Sequence, residues 1–285
     1  MLKQRVITAL VLLLLALPAL FHHDPRWLGA FGSLLMLAAA WEWGKLNGLG
    51  VYQSLLMSLM CGLGCAFLYA AYWMSAAKGF WAALVGHNIW LAVGACWVLL
   101  GGYLLRGSMA RWQSLPQWFR LLAGLLMLCS TWLAMYQAKL IGTAFLISSL
   151  GLVWIADIAA YFAGRRWGRR KLAPHISPGK SWEGVLGGML AVQLFAAVWL
   201  TLEMQWPIFQ GSLFAAMLQH GCVVMVIGLI FLTAMSVVGD LIESLIKRSA
   251  GAKDSSQLLP GHGGVLDRMD AILPTLPLAL MISLF

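Results

Sequence analysis

Apolar residues run along this chain in windows of roughly twenty, separated by short polar breaks, from Val6 to Phe285. A helix of that length is about 30 Å long, the thickness of the hydrocarbon layer of a bilayer. The windows predict nine membrane-spanning helices, at approximately 6–21, 28–44, 51–74, 80–105, 121–136, 140–163, 184–202, 219–239 and 271–285. Long Leu, Ala, Met and Trp runs without alternation argue for helices rather than a barrel, because in lipid each segment must satisfy its own backbone groups. The last window carries Pro274 and Pro277, which predict a kink or a start inside the preceding loop, and residues 205–218 could add a partial helix. The expected fold is an all-α polytopic integral membrane protein. The first window follows Lys3 and Arg5 as a signal peptide would. Other spans follow it, however, and no small-x-small cleavage site precedes the His22, His23, Asp24, Pro25 turn, so it is read as a span.

Composition agrees: 61% of the 285 residues are apolar and 10% are charged, against roughly 25% charged in a soluble domain. The positive-inside rule then orients the chain. Of the nineteen Lys and Arg residues, Arg26, Lys78 and Lys139 fall on one side and the other sixteen on the opposite side. That places the N-terminus in the cytoplasm and the C-terminus outside. The net charge of +9 becomes a property of the cytoplasmic face, suited to anionic lipid headgroups, and calls for no nucleic acid.

Of the ten carboxylates, only Asp24 and Glu42 precede residue 157. The chain therefore divides into N-terminal scaffold helices, 1–139, and a C-terminal catalytic region, 140–285, with cytoplasmic loops at 164–183 and 240–270. Five cysteines, Cys61, Cys65, Cys96, Cys129 and Cys222, lie in apolar stretches without a Cys-x-x-Cys pair, which argues against disulfides and zinc. His22, His23, His87, His175 and His220 read as interfacial or structural. Glu42, between Trp41 and Trp43, reads equally as an interfacial anchor or a functional group.

Asp157 lies inside a predicted span, near its cytoplasmic end, and an intramembrane carboxylate should face a polar cavity or a cation. The loop at 164–183 holds Arg165, Arg166, Arg169, Arg170 and Lys171, most simply a topogenic signal. It then runs Ser177, Pro178, Gly179, Lys180, Ser181, Trp182, Glu183, Gly184 into the next helix. Small residues and a lysine at a helix N-terminus suit a phosphate. A Walker loop is excluded, since Pro174 stands where its first Gly would be. In the second loop, a continuing helix would set Asp240, Glu243 and Lys247 on one face with Ser244 and Arg248 beside them. Asp267 and Asp270 repeat the i, i+3 spacing beyond the Gly261-His262-Gly263-Gly264 turn. Carboxylates converging from two segments among Lys, Arg and His are what a magnesium-dependent reaction on a phosphate needs.

From Ser244 to Asp270 the pattern Ser-x-x-Lys-Arg, four residues, Lys-Asp, a spacer, Pro-Gly-His-Gly-Gly-x-x-Asp-Arg-x-Asp resembles the phosphatidate cytidylyltransferase (CDP-diglyceride synthase) family without a break. Ser177 to Gly184 matches that family's upstream Ser-Pro-x-Lys-Ser/Thr-x-x-Gly block. One departure is that Ile158 and Ala159 follow Asp157, where the family has a small polar residue and Gly. The resemblance implies that CTP and phosphatidic acid give CDP-diacylglycerol and pyrophosphate, for phospholipid synthesis at the cytoplasmic face of a bacterial inner membrane. It implies Asp240, Asp267 and Asp270 as ligands of Mg2+, with Asp157 and Glu243 contributing and the number of ions open. It further implies catalytic roles for Asp240, Lys247, Asp267 and Asp270. Phosphate or nucleotide contacts fall to Ser177, Lys180, Ser181, Glu243, Ser244, Arg248, Lys253, His262, Gly263, Gly264 and Arg268. Its members also suggest a homodimer among membrane lipids. Three alternatives stay open: a proton- or cation-coupled carrier, a CTP- or CDP-alcohol-handling phosphotransferase, although the usual CDP-alcohol phosphotransferase motif is absent, and an inactive or specialised paralogue with a different lipid acceptor.

Overall fold

The computed structural model describes residues 2–74 and 86–283. Lys78, the start of the window at 80–105 and the last two residues of 271–285 lie outside the described residues. The described chain is nearly all helical. Its order is α1 (Leu2–Phe21), α2 (Arg26–Leu46), α3 (Val51–Met74), α4 (His87–Ser114), α5 (Gln117–Ile141) and α6 (Thr143–Trp167). A hairpin of β1 (Lys171–Ala173) and β2 (Ser177–Ser181) follows, then α7 (Trp182–Gln205), a 3-10 turn (Pro207–Phe209), α8 (Leu213–Leu218), α9 (Cys222–Ser249), α10 (Leu266–Met269) and α11 (Ile272–Ser283). Six helices among the described residues are long and apolar enough to cross a membrane: α3, Asn88–Gly107 within α4, α5, α6, α7 and α9. Helices α1, α2 and α11 occupy the other three predicted windows. The apolar part of α1 is confined to Val6–Phe21, and α11 has 12 residues with Pro277 inside it.

Two expectations change. The segment read as a loop from 240 is helical to Ser249, because Leu241, Ile242, Leu245 and Ile246 continue the apolar stripe of α9 and are buried. The charges that suggested a loop sit on the other stripe of the same helix. The segment 164–183 is also not a simple loop. Helix α6 runs to Trp167, and an antiparallel hairpin pairs Lys171 with Ser181 and Ala173 with Ser177.

Small residues decide how closely the helices approach. On α6 and α7, Ala156, Ala160 and Ala163 face Gly184, Gly187 and Gly188. A Cβ at Gly184 would lie 2.8 Å from the Ala160 carbonyl, and one at Gly188 would lie 2.9 Å from that of Ala156. This is the small-residue contact by which membrane helices gain packing where lipid offers no hydrophobic drive. Helices α2 and α5 interlock reciprocally. Trp132 and Tyr136 stack 4° from parallel against Gly29, and the Trp43 indole fills the space beside Gly124. Each indole also donates a hydrogen bond at 2.9 Å, Trp132 to Gly29 O and Trp43 to Arg120 O. With Trp43 turned to α5, the adjacent Glu42 points elsewhere. Helix α2 then ends in a Schellman turn: Gly48 takes the left-handed conformation (φ 85°), and the Leu49 and Gly48 N–H groups bond to Gly44 O and Lys45 O.

Cys61 and Cys65 on α3 meet Cys129 on α5. All three are free thiols, buried, with sulfurs within 4.8 Å of one another. Where α9 meets α11, a Cβ on Gly239 would collide with the Asp270 carbonyl and lie 2.8 Å from the Pro274 ring. Gly239→Ala is therefore expected to cost about 1–3 kcal/mol of stability through overpacking, read as a lower thermal unfolding midpoint in detergent.

Candidate active site

The continuity of α9 places Asp240, Glu243, Ser244 and Lys247 along one side of its last turns, as the i, i+3, i+4, i+7 spacing predicts. Ser244 Oγ donates to Asp240 Oδ1 at 3.2 Å. Two clusters form there. In the deeper one, Lys247 Nζ sits 2.6 Å from Glu243 Oε2 and 2.5 Å from Asp267 Oδ1, with all three side chains nearly out of solvent. Glu243 Oε1 is buried and makes no hydrogen bond. In the more open cluster, Lys180 at the end of β2 pairs with Asp240 at 2.5 Å. Asp157 on α6 is exposed and close enough for its charge to act on both Lys180 and Asp240. Asp270 is close enough to both clusters for the charges of Asp240, Lys180 and Lys247 to act on it.

The α10 segment delivers Asp267. Its Oδ2 accepts hydrogen bonds from Ser255 N (2.9 Å), Ser255 Oγ (3.0 Å) and Gly264 N (2.8 Å), while Oδ1 takes the lysine. Burial alone would raise the Asp267 carboxyl. The bonds from Lys247, Gly264 and Ser255 outweigh it and hold the group below the usual carboxylate range. Among the described residues, Asp270 accepts a hydrogen bond only from the Ala271 N–H (2.8 Å). There burial, with the negative charge of Asp240 second, pushes the carboxyl up to about 7. Gly263 adopts φ 82°, and a Cβ there would lie 2.7 Å from Asp267 Oδ2. Glycine is thus required both by conformation and by the approach of the carboxylate.

The remaining expected site residues divide. Arg248 and Arg268 are exposed and tied to loop carbonyls, Ala252 O and His262 O, and Lys253 is exposed beside them. His262 Nδ1 is buried without a hydrogen bond. Ser181 is the N-cap of α7, its Oγ accepting from Gly184 N at 3.2 Å, while Ser177 stands at the far end of β2. Gly264 N–H is directed to Asp267. Glu183, in the first turn of α7, accepts from the Arg169 and Arg170 N–H groups and so fixes the entry to the hairpin.

One residue of this region was left ambiguous by sequence, between an interfacial anchor and a functional group. Glu42 is fully buried, 0% exposed. Its Oε1 accepts from Ser256 Oγ (2.5 Å) and Val265 N (2.9 Å), and its Oε2 from Ser255 Oγ (3.1 Å) and Leu266 N (2.8 Å). The available signal was its isolation: it is one of two carboxylates before residue 157. Beside this contact a cavity of about 490 Å³ opens between Trp41, Lys45, Leu46, Ala252, Ser255 and Ser256, among others.

Five carboxylates around two lysines leave negative charge uncompensated at the surface of a membrane protein. Among the described residues they do not form a compact cage like that of the three thiols; the two ammonium groups stand between them. Such a set can take up a hard cation through oxygen ligands and can offer the lysines to anionic oxygens.

Comparison with known proteins adds the following. The family model described as Cytidylyltransferase family matches residues 3–285. The chain is 40% identical over 280 residues to the phosphatidate cytidylyltransferase of Pseudomonas aeruginosa, covering 97% of this chain and 95% of that one. It is 32% identical over 312 residues to that of Haemophilus influenzae, covering 97% and 96%. The enzyme of the same name from Bacillus subtilis matches at 37% identity over 145 residues, half of this chain and 49% of its own.

Proposed function

The chain belongs to the cytidylyltransferase family, and from that premise we propose that it transfers CMP from CTP to phosphatidic acid at the joined ends of α6, β2, α9 and α10. The products are CDP-diacylglycerol and pyrophosphate. The observation that carries the placement is the convergence of Asp157, Asp240, Glu243, Asp267 and Asp270 around Lys180 and Lys247. The distribution of Lys and Arg supports a cytoplasmic N-terminus and a site on the cytoplasmic side of a bacterial inner membrane.

The donor set fits Mg2+: hard carboxylate oxygens, excess negative charge and a buried Glu243 oxygen lacking a hydrogen bond. Asp240, Asp267 and Asp270 would hold it, with Asp157 and Glu243 contributing. When bound, the ion would neutralise nucleotide phosphate oxygens and polarise the α-phosphorus. The protein's own groups do the rest. Lys180 and Lys247 draw the phosphates of both substrates toward the carboxylates, which otherwise repel them. Exposed Arg248, Lys253 and Arg268 meet the departing pyrophosphate at the mouth. A phosphate oxygen of phosphatidic acid attacks the α-phosphorus of CTP in line, a P–O bond forms, and the α–β bridging bond breaks. The phosphomonoester dianion is already a nucleophile near neutral pH, so no general base is required.

The test is CTP-dependent conversion of short-chain phosphatidic acid by detergent-purified protein. Activity is expected to vanish with a chelator and return with Mg2+. A proton competes with the cation for Asp270 below about 7, so more Mg2+ should be needed at pH 6 than at pH 8. Full activity in chelator would overturn the Mg2+ assignment. No product from stable protein over several lipids and nucleotides would overturn the placement and the acceptor.

A further inference from the structure

A carboxylate buried completely in a protein interior is costly unless hydrogen bonds or an opposite charge compensate it. Among the described residues no lysine or arginine pairs with Glu42. Four donors do, and all belong to the segment 255–266, more than two hundred residues away in the chain. Two are serine hydroxyls from the start of that segment and two are backbone N–H groups from its end, so the side chain fastens both strands of the loop at once. Ser255 is shared: its Oγ reaches Glu42 Oε2 at 3.1 Å and Asp267 Oδ2 at 3.0 Å, and its N–H also bonds to Asp267. Gly264 completes the fit. A Cβ there would collide with both Ser255 Oγ and Glu42 Oε1. Helix α2 is itself immobilised next to Glu42 by Trp43, seated against Gly124 and bonded to Arg120 O.

We infer that Glu42 is a positioning residue for the transfer reaction: it sets the location of Asp267, through Ser255 and the Val265–Leu266 backbone, and so lets the N-terminal helices determine the geometry of the acidic cluster. The inference rests on the placement proposed above, but concerns a group that touches no substrate. A misplacement of about 1 Å transmitted from such a site can cost about 100-fold in rate. Glu42→Gln keeps the side chain's size and one acceptor oxygen, while directing an amide donor at a hydroxyl or N–H group.

The experiment compares Glu42→Gln, Ser255→Ala and the double variant with the wild type in CTP-dependent conversion of phosphatidic acid. Each is also treated in its folded, detergent-bound state with trypsin, for which exposed Lys253, two residues before that segment, is a target. Glu42→Gln is expected to lower kcat by about 100-fold, with KM for CTP changed by less than about 3-fold. It should also speed cleavage at Lys253, and adding Ser255→Ala should produce little further loss. A simple loss of folded protein would lower activity in proportion to recovery and leave kcat per folded molecule unchanged. Unchanged kcat, a rise in KM alone, or losses that multiply in the double variant would each overturn the inference. If Glu42→Gln yields no folded protein, Ser255→Ala and Ser256→Ala carry the test from the loop side. Both must then speed cleavage at Lys253 and lower kcat, and failure of either overturns it. Because the wild type is assayed alongside, an inactive wild type counts against the proposed reaction and not against Glu42.

Discussion

Asp267→Asn is expected to lower CDP-diacylglycerol formation by about 10²–10³-fold, the scale seen when one preorganised electrostatic partner is removed from an active site. The argument lies in how fully the carboxylate is used. Oδ1 takes the Lys247 ammonium, and Oδ2 takes two N–H groups and a hydroxyl. An asparagine of the same shape must turn its NH2 either to the ammonium or to the N–H groups, and donor then faces donor. The negative charge that balances Lys247 is also lost. Hydrogen bonding holds the Asp267 carboxyl below the usual range, so it is ionised across the working pH and its replacement should depress the whole profile. The check is the CTP-dependent conversion assay, run with Mg2+ added, on variant protein with wild-type circular dichroism and elution volume. Activity within about 3-fold of wild type would remove Asp267 from the reacting centre.

Much of this site could be read from local spacing. The i, i+3, i+7 placement of Asp240, Glu243 and Lys247 needs only a continuous helix, and the helix is continuous. The boundary was misread because a dense run of charge resembles a loop when the apolar stripe beside it is overlooked. The Lys171–Ser181 hairpin was hidden for another reason. Three- and five-residue strands carry too little alternation to register, and Pro174 and Pro178 obscure what they carry. Contacts across the chain were beyond periodicity altogether. Nothing local joins Lys180 to Asp240, Cys129 to Cys61, or Glu42 to a loop 213 to 224 residues away. The division into scaffold and catalytic halves followed carboxylate density, a one-dimensional measure. A single N-terminal carboxylate reaching the loop lay outside what that measure could register.

The second large effect is expected at Lys247. Its ammonium is the only cation the structure pairs, among the described residues, with either Glu243 or Asp267, and the three side chains are 11%, 4% and 8% exposed. Lys247→Met fills much the same volume with an apolar chain and leaves two carboxylates facing each other out of solvent. Breaking a buried ion pair from one side typically costs about 3–5 kcal/mol, because the remaining charge stays uncompensated. The variant should therefore unfold at a markedly lower temperature in detergent and lose activity as well. These two losses have different origins and can be separated. Adding Glu243→Gln removes one of the stranded charges, so the double variant should regain much of the stability. It should regain none of the activity, since a group drawing phosphates to the cluster is still missing. Recovery of both together would mean that Lys247 serves only to neutralise Glu243. Recovery of neither would mean that Asp267, rather than Glu243, is the charge that Lys247 chiefly compensates.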